Sequence, residues 1–205
     1  MIYYDVDQDS DEWFALRVGR ATSSNYACFM ANYGKEFGEP AKRYALQIAL
    51  ELINGKRAEV GFSNDHTDRG KKQEPIAIMM YEDKNFIDVG NGGFFDHITH
   101  GDSPDGLVGD DGALEIKSVI APVHYATLRR GSYDPVYKWQ HIGHLDGTGR
   151  DWVDSVSFCS EFPSRLQLIT HRIYRHQVKE ELAMLQARRG EFLKLVSETI
   201  AVISA

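Results

Sequence analysis

The residues with the clearest chemical potential lie between positions 103 and 117. Ser103-Pro104-Asp105-Gly106-Leu107 is followed, ten residues after Asp105, by Glu115-Ile116-Lys117. Alternate residues of a strand share a face, so Glu115 and Lys117 project together while Leu114 and Ile116 point into apolar packing. Leu107-Val108 and Ala113 to Val119 read as the arms of a hairpin around Gly109-Asp110-Asp111-Gly112. Asp105 joins the charged face only if the hairpin turns through an odd number of residues or carries a bulge. A two-residue Asp110-Asp111 turn sends it to the other side. The odd loop or bulge is the expectation.

Two carboxylates and an ammonium on one surface suit phosphodiester hydrolysis. Hard oxygen ligands favour Mg²⁺, which keeps several waters and takes only one or two carboxylates; Mn²⁺ is expected to substitute. Such an ion polarises the phosphate, helps deprotonate an attacking water and steadies the leaving oxygen. Lys117 would orient that water or offset charge on the phosphorus. The bland alternative is a surface hairpin with a salt bridge, because Glu-x-Lys alone is common. Pro-Asp ahead of a hairpin with an apolar-flanked Glu-x-Lys is more specific.

The elements that must position these groups follow from caps and periodicity. Ser10 caps a helix from Asp11 to Val18 that Gly19 ends, and Thr22-Ser23-Ser24 offers caps for another through Met30. Asn32 to Pro40 reads as a loop, and Ala45, Ile48, Ala49, Leu52 and Ile53 set a helix from Ala41 that Gly55 closes. A helix from Gly70 to Asp83 tolerates Pro75 only in its first turn, which places Glu74 near the N-terminus. Strands are expected at Phe86 to Val89, Gly93 to Ile98, Val153 to Ser160 and Leu166 to Tyr174. Helices are expected at Ala121 to Arg130, Asp134 to Asp146 and Arg175 to Val202. The last has Val178, Leu182, Leu185, Phe192, Leu195 and Val196 on its apolar side. The fold class is therefore α/β (α+β), a mixed central sheet flanked by helices, in one domain over residues 1–205.

The chain has 205 residues, 42% hydrophobic and 26% charged, which suits a globular domain with a proper core. No long apolar run or signal-peptide pattern is present, so no membrane is expected. Cys28 and Cys159 are too few for a disulfide framework or a cysteine-held cluster, and a cytoplasmic setting is the default. A net charge of -7 requires that any DNA-binding basic residues be concentrated on one surface. Lys35, Lys42, Arg43, Lys71 and Lys72 are candidates for such a surface, though each is more often an ordinary solvated charge.

These residues resemble the PD-(D/E)xK nuclease superfamily, and the match extends to the phage lambda exonuclease family. That family's Trp-x-x-x-Arg-x-Gly with a Thr/Ser cluster stands here as Trp13 to Gly19 and Thr22-Ser23-Ser24. Its Gly-Lys-x-x-Glu is Gly70 to Glu74, and its Ser-Pro-Asp-Gly-Leu is Ser103 to Leu107. Its Leu-Glu-x-Lys is Leu114 to Lys117, and its Tyr-x-x-Gln is Tyr137 to Gln140. After Gly149 the likeness is one of general character. The resemblance implies a restriction-endonuclease-like sheet and a 5′–3′ exonuclease that degrades the 5′-ended strand of linear duplex DNA to leave 3′ overhangs. It implies a homotrimeric ring, a single-strand annealing protein as partner, and phage-type recombination in the bacterial cytoplasm.

The resemblance also assigns roles. Asp105, Glu115 and the Ile116 carbonyl would hold the metal, with Glu74 reaching the same site; its alternative is an acid favoured by the helix dipole. Gln140 would lie beside Lys117 and position water. Arg17 and Ser24 would bind a terminal 5′ phosphate, and Ser103 would touch the cleaved strand. For Arg17 and Ser24 there is an independent argument: a Thr/Ser cluster at a helix start offers N–H groups and hydroxyls to an anion, and arginine adds a bidentate fork. Plain capping by Thr22 or Ser23 is the alternative. The family's apolar wedge ahead of Gly70 is replaced by His66-Thr67-Asp68-Arg69. His141 with His144, and His97 with His100, are expected in surface or packing roles rather than as zinc ligands. An endonuclease of the same superfamily and a catalytically silent DNA-binding or assembly module remain as alternatives.

Overall fold

The computed structural model describes residues 1–58 and 65–205, with the backbone alone at 65–68 and 71. The wedge position at His66-Thr67-Asp68 and the Lys71 side chain therefore lie outside the described residues. In chain order, β1 (Ile2–Tyr4), α1 (Asp11–Arg17), β2 (Ala21–Thr22) and α2 (Tyr26–Met30) precede two longer helices, α3 (Glu39–Asn54) and α4 (Asp65–Asn85). Then come β3 (Val89–Asn91), β4 (Phe94–Asp96), β5 (His100–Asp102), β6 (Gly106–Val108) and β7 (Gly112–Ser118). The chain finishes with α5 (Ala121–Arg130), α6 (Lys138–Thr148), β8 (Trp152–Phe158), β9 (Leu168–Tyr174) and α7 (Lys179–Ile203).

Local chemistry explains many of these bounds. The Ser10 hydroxyl accepts the Trp13 N–H at 3.1 Å and so starts α1. Gly55 closes α3 in the left-handed region, at φ 64°. Three expectations are corrected. Pro75 lies well inside α4, which begins at Asp65 rather than Gly70. Glu74 is consequently not an N-terminal acid, and the dipole reading of it lapses. An interior proline forfeits one helical hydrogen bond; the packing of Ala77 and Tyr81 below holds the helix through it. Phe86 is not in a strand: it sits at φ 53° just after α4 and is 95% exposed. The first turn expected for α7, Arg175 to Gln177, is a separate 3-10 turn.

Two sheets form. One has the order β1-β4-β5-β2 and the other β3-β6-β7-β8-β9. In the larger sheet β7 is antiparallel to β6 and parallel to β8, through a crossover that contains α5 and α6. Its two faces bury different cores. Leu114 and Ile116 pack with Val156, Phe158 and Leu168 under Ala77 and Tyr81 of α4. Ala113 and Val153 face the opposite way, toward Ile142 and Leu145 of α6 and the helices α2, α3 and α7. By strand alternation Glu115 and Lys117 share the α6 face.

Two contacts set the helices over the sheet. The buried Tyr81 hydroxyl donates to Asp154 Oδ2 at 2.6 Å, and Arg172 grips the same carboxylate with two bonds of 2.8 Å. On the other face, α6 approaches the small sheet through glycines. A Cβ on Gly147 would stand 2.4 Å from the Asp102 Cβ, and one on Gly143 would stand 2.6 Å from the Ser23 Cβ. Among the described residues no helix is long and apolar enough to cross a membrane.

Candidate active site

The hairpin register settles where Asp105 goes. Val108 pairs with Gly112, so the loop is Gly109, Asp110 and Asp111. Gly109 takes φ 53°, a conformation that glycine adopts without strain. Continuing the register one step from the Gly106–Leu114 pair sets Asp105 opposite Glu115. The ladder slips there. The Asp105 N–H donates to the Leu114 carbonyl at 2.9 Å, and its Oδ2 accepts the Ile116 N–H at 2.6 Å. The carboxylate is thus clamped across β7 beside Glu115.

Glu115, 2% exposed, is the hub. Its Oε1 receives Lys117 Nζ and Gln140 Nε2, each at 2.6 Å. Its Oε2 lies 2.8 Å from His144 Nε2, an ion-pair contact without in-line hydrogen-bond geometry. His144 Nδ1 is 2.9 and 3.0 Å from the two oxygens of Asp102. Lys117 also lies 5.0 Å from the centre of the Tyr137 ring. Gln140 and His144 are four residues apart on α6 and so share one face of it.

The charges are strongly coupled. Burial raises the Asp105 carboxyl well above the usual carboxylate range, and the negative charges of Glu115 and Glu74 add to the rise. The charge of Glu74 on α4 is thus felt at Asp105. Burial also opposes ionisation of Glu115, but Lys117 and His144 together hold its carboxyl below the ordinary value. Burial would neutralise Lys117 and His144 too; the carboxylates prevail, raising Lys117 and pushing His144 up to about 10.

A second cluster lies next to this one. Arg17 Nη2 donates to Thr22 Oγ1 at 3.4 Å, and Thr22 Oγ1 is 3.4 Å from Ser24 Oγ. The Arg17 guanidinium stacks on Trp13 at 4.0 Å. Burial lowers its pKa, and Asp102 is among the charges that offset the fall. Thr22 makes no side-chain capping bond, so the plain capping alternative is not the observed use of its hydroxyl. Ser103 is placed differently: its hydroxyl donates to the Gly93 carbonyl at 2.6 Å and accepts from Trp13 Nε1 at 2.8 Å. Its one hydrogen is spent inside the protein.

The basic candidates Lys35, Lys42, Arg43 and Lys72 are exposed. His97 and His100 stack at 4.5 Å, and His97 Nε2 is 2.8 Å from the Gly147 carbonyl. His141 is fully buried against Tyr133, and burial pushes it down to about 3. Surface roles are thus excluded for His141 and His144. Sequence reasoning missed His144 and Asp102 as members of the site. The available signal was the spacing of Gln140 and His144 on one helix; the His-x-x-His pattern had drawn attention to zinc instead.

Whether the centre fits a divalent cation can be judged from its donors. Asp105 and Glu115 set two carboxylates side by side on the hairpin, and after the larger effect of burial the charges of Glu115 and Glu74 raise Asp105 further. A hard cation beside Asp105 would offset those charges. Among the described residues no set of three or more His, Cys, Asp or Glu is placed to hold a metal ion. Mg²⁺, which keeps several waters, does not require one.

A mixed sheet with an acid-lined hairpin, a lysine two residues beyond the glutamate, and a helix glutamine on the same carboxylate define a restriction-endonuclease-like α/β protein. The chain belongs to the YqaJ-like viral recombinase domain family, the lambda exonuclease family, whose sequence profile matches residues 12–151. It is similar to the alkaline exonuclease LHK-Exo from Laribacter hongkongensis, with 30% identity, a TM-score of 0.84, and 95% of this chain and 96% of that chain covered. The same protein in complex with dAMP matches with 30% identity and a TM-score of 0.79 over 95% and 98% of the two chains. A phage related exonuclease from Haemophilus somnus 129PT shares the fold, with 13% identity and a TM-score of 0.71 over 90% and 96%. No curated protein matches the sequence.

Proposed function

We propose that the protein is a Mg²⁺-dependent 5′–3′ exonuclease that degrades the 5′-ended strand of linear duplex DNA and leaves 3′ overhangs. The observation that supports this most directly is the convergence of Asp105, Glu115, Lys117 and Gln140 on one half-buried centre, with the charge of Glu74 felt at Asp105, beside the Arg17–Thr22–Ser24 cluster. Asp105, Glu115, Glu74 and the Ile116 carbonyl would hold the ion. When bound, Mg²⁺ polarises the scissile phosphate, aids deprotonation of water and steadies the leaving oxygen. Lys117 orients the attacking water and offsets charge that grows on the phosphate. Gln140 donates to the same Glu115 oxygen as Lys117, so it helps hold that carboxylate, and it offers its amide to the water. Arg17 and Ser24 take the terminal 5′ phosphate, whose extra charge distinguishes an end from an internal phosphate. The whole chain acts as one nuclease domain, assembled as a homotrimer around DNA, and passes its product to a single-strand annealing protein in the bacterial cytoplasm. Mn²⁺ substitutes for Mg²⁺.

The test is digestion of linear duplex DNA bearing either 5′-phosphate or 5′-hydroxyl ends, and of closed circular DNA, with Mg²⁺ or EDTA. Linear 5′-phosphorylated DNA is degraded with Mg²⁺ alone, and Lys117→Ala loses most of the rate. Cleavage of closed circles favours an endonuclease, full activity of Lys117→Ala refutes the mechanism, and equal rates on the two ends of linear DNA remove the Arg17 role.

A further inference from the structure

We propose that His144 and Asp102 are positioning residues for Glu115, fixing the plane of its carboxylate so that one oxygen is held in the interior and the other is presented at the accessible side. This rests on the nuclease reading above. The two halves of the Glu115 carboxylate have different company. Oε1 is shared by Lys117 and Gln140, both partly exposed. Oε2 points to His144, which is 0% exposed, and behind it stands Asp102 at 1%. The terminal torsion of a glutamate is broad, so β7 by itself does not fix the plane of the carboxylate. His144 narrows it by holding one oxygen in the interior, which leaves the other toward the accessible side.

Asp102 completes the arrangement. With Nδ1 at 2.9 and 3.0 Å from its two oxygens, it sets the hydrogen on Nδ1 and fixes the plane of the ring. The close approach this requires is possible because Gly147 has no side chain where α6 meets Asp102. Apolar packing at these two positions would satisfy the core more cheaply than a desolvated carboxylate and imidazole. Their geometry serves Glu115: one end of the imidazole is anchored on β5 and the other lies 2.8 Å from Glu115 Oε2.

Two amide substitutions separate positioning from packing. In His144→Gln the amide nitrogen falls near the Nε2 position and keeps the Glu115 contact. In His144→Asn it falls near Nδ1 and keeps only the Asp102 contact. Full-length wild type and both variants are compared by initial rates on 5′-phosphorylated linear duplex across a Mg²⁺ series. Mg²⁺ affinity without DNA is measured by calorimetry, and the thermal midpoint is recorded. His144→Asn is expected to lose roughly 10- to 100-fold in kcat or Mg²⁺ affinity, while His144→Gln stays within about threefold of wild type. Equal losses in the two variants overturn the proposal, as does an unchanged His144→Asn. If His144→Asn does not fold, the isosteric Asp102→Asn replaces it, assayed well below its own thermal midpoint: a roughly tenfold drop supports the proposal, and no drop overturns it. Should wild type fail to cut DNA, the nuclease reading falls, and the Mg²⁺ calorimetry decides the positioning claim separately.

Discussion

Gly92→Ala should damage catalysis from a residue that touches no substrate. Gly92 lies against the backbone just ahead of Asp105: an added Cβ would stand 1.7 Å from the Pro104 carbonyl oxygen and 2.8 Å from its carbon. Contacts below 3.0 Å are essentially never observed, and the obstructing atoms are backbone, so no flexible side chain can swing aside. The same oxygen already accepts Gln8 Nε2 at 2.8 Å. Alanine must therefore push Pro104 and Asp105 away by roughly an ångström or more, which in a packed interior costs about 1–3 kcal/mol. For a chain of this size each kcal/mol lowers the midpoint by about 2–4 °C, so the expected fall is roughly 2–12 °C. Displacing a reacting group by ~1 Å costs on the order of 10²-fold in rate. The assay is the initial rate on 5′-phosphorylated linear duplex at saturating Mg²⁺, measured well below the thermal midpoint, beside a thermal melt. Gly190→Ala is the control: it lies in α7 with no other atom within 4 Å of its Cβ position. That change should leave the rate alone and add about 0.5–1 kcal/mol of stability. A Gly92→Ala protein with near-wild-type rate and midpoint would show that this close approach does not set the place of Asp105.

Two further outcomes are expected. Tyr81→Phe removes a 2.6 Å hydrogen bond to the buried Asp154 carboxylate and should cost about 1.5–3 kcal/mol, read by denaturant unfolding; a loss below about 0.5 kcal/mol would mean that Arg172 alone satisfies Asp154. In EDTA, the difference in thermal midpoint between wild type and His144→Gln should shrink with rising pH. The folded value of about 10 lies above the ordinary 6.5, so the stabilisation is complete below pH 6.5 and is lost as pH rises through 10. A pH-independent difference over that window would contradict the imidazolium.

Legibility from sequence followed the range of the interactions. Local signals succeeded: the Ser10 cap, the Gly55 stop, α5, and the odd-numbered hairpin loop are all set by neighbours within a few residues. β1 and β2 escaped notice because each is two or three residues long and exists only through pairing with distant strands, and β5 because its three residues, His100–Asp102, carry no apolar alternation. α4 was misjudged because Pro75 speaks locally against a helix, whereas Ala77, Tyr81 and the Asp154 bond hold it from the sheet. At the site, residue types and spacing marked Asp105, Glu115 and Lys117 as partners. Asp102 and His144 remained hidden: their meeting depends on where α6 crosses the small sheet, which no periodicity in the chain specifies.

The crossover from β7 to β8 also imposes an order of assembly. Asp105 and Glu115 meet across a tight hairpin, a local event with little entropy to lose. Gln140 and His144 arrive only when α6 docks between the two sheets, a non-local step that comes later. Completion of the charged centre is thereby tied to the docking of a single helix.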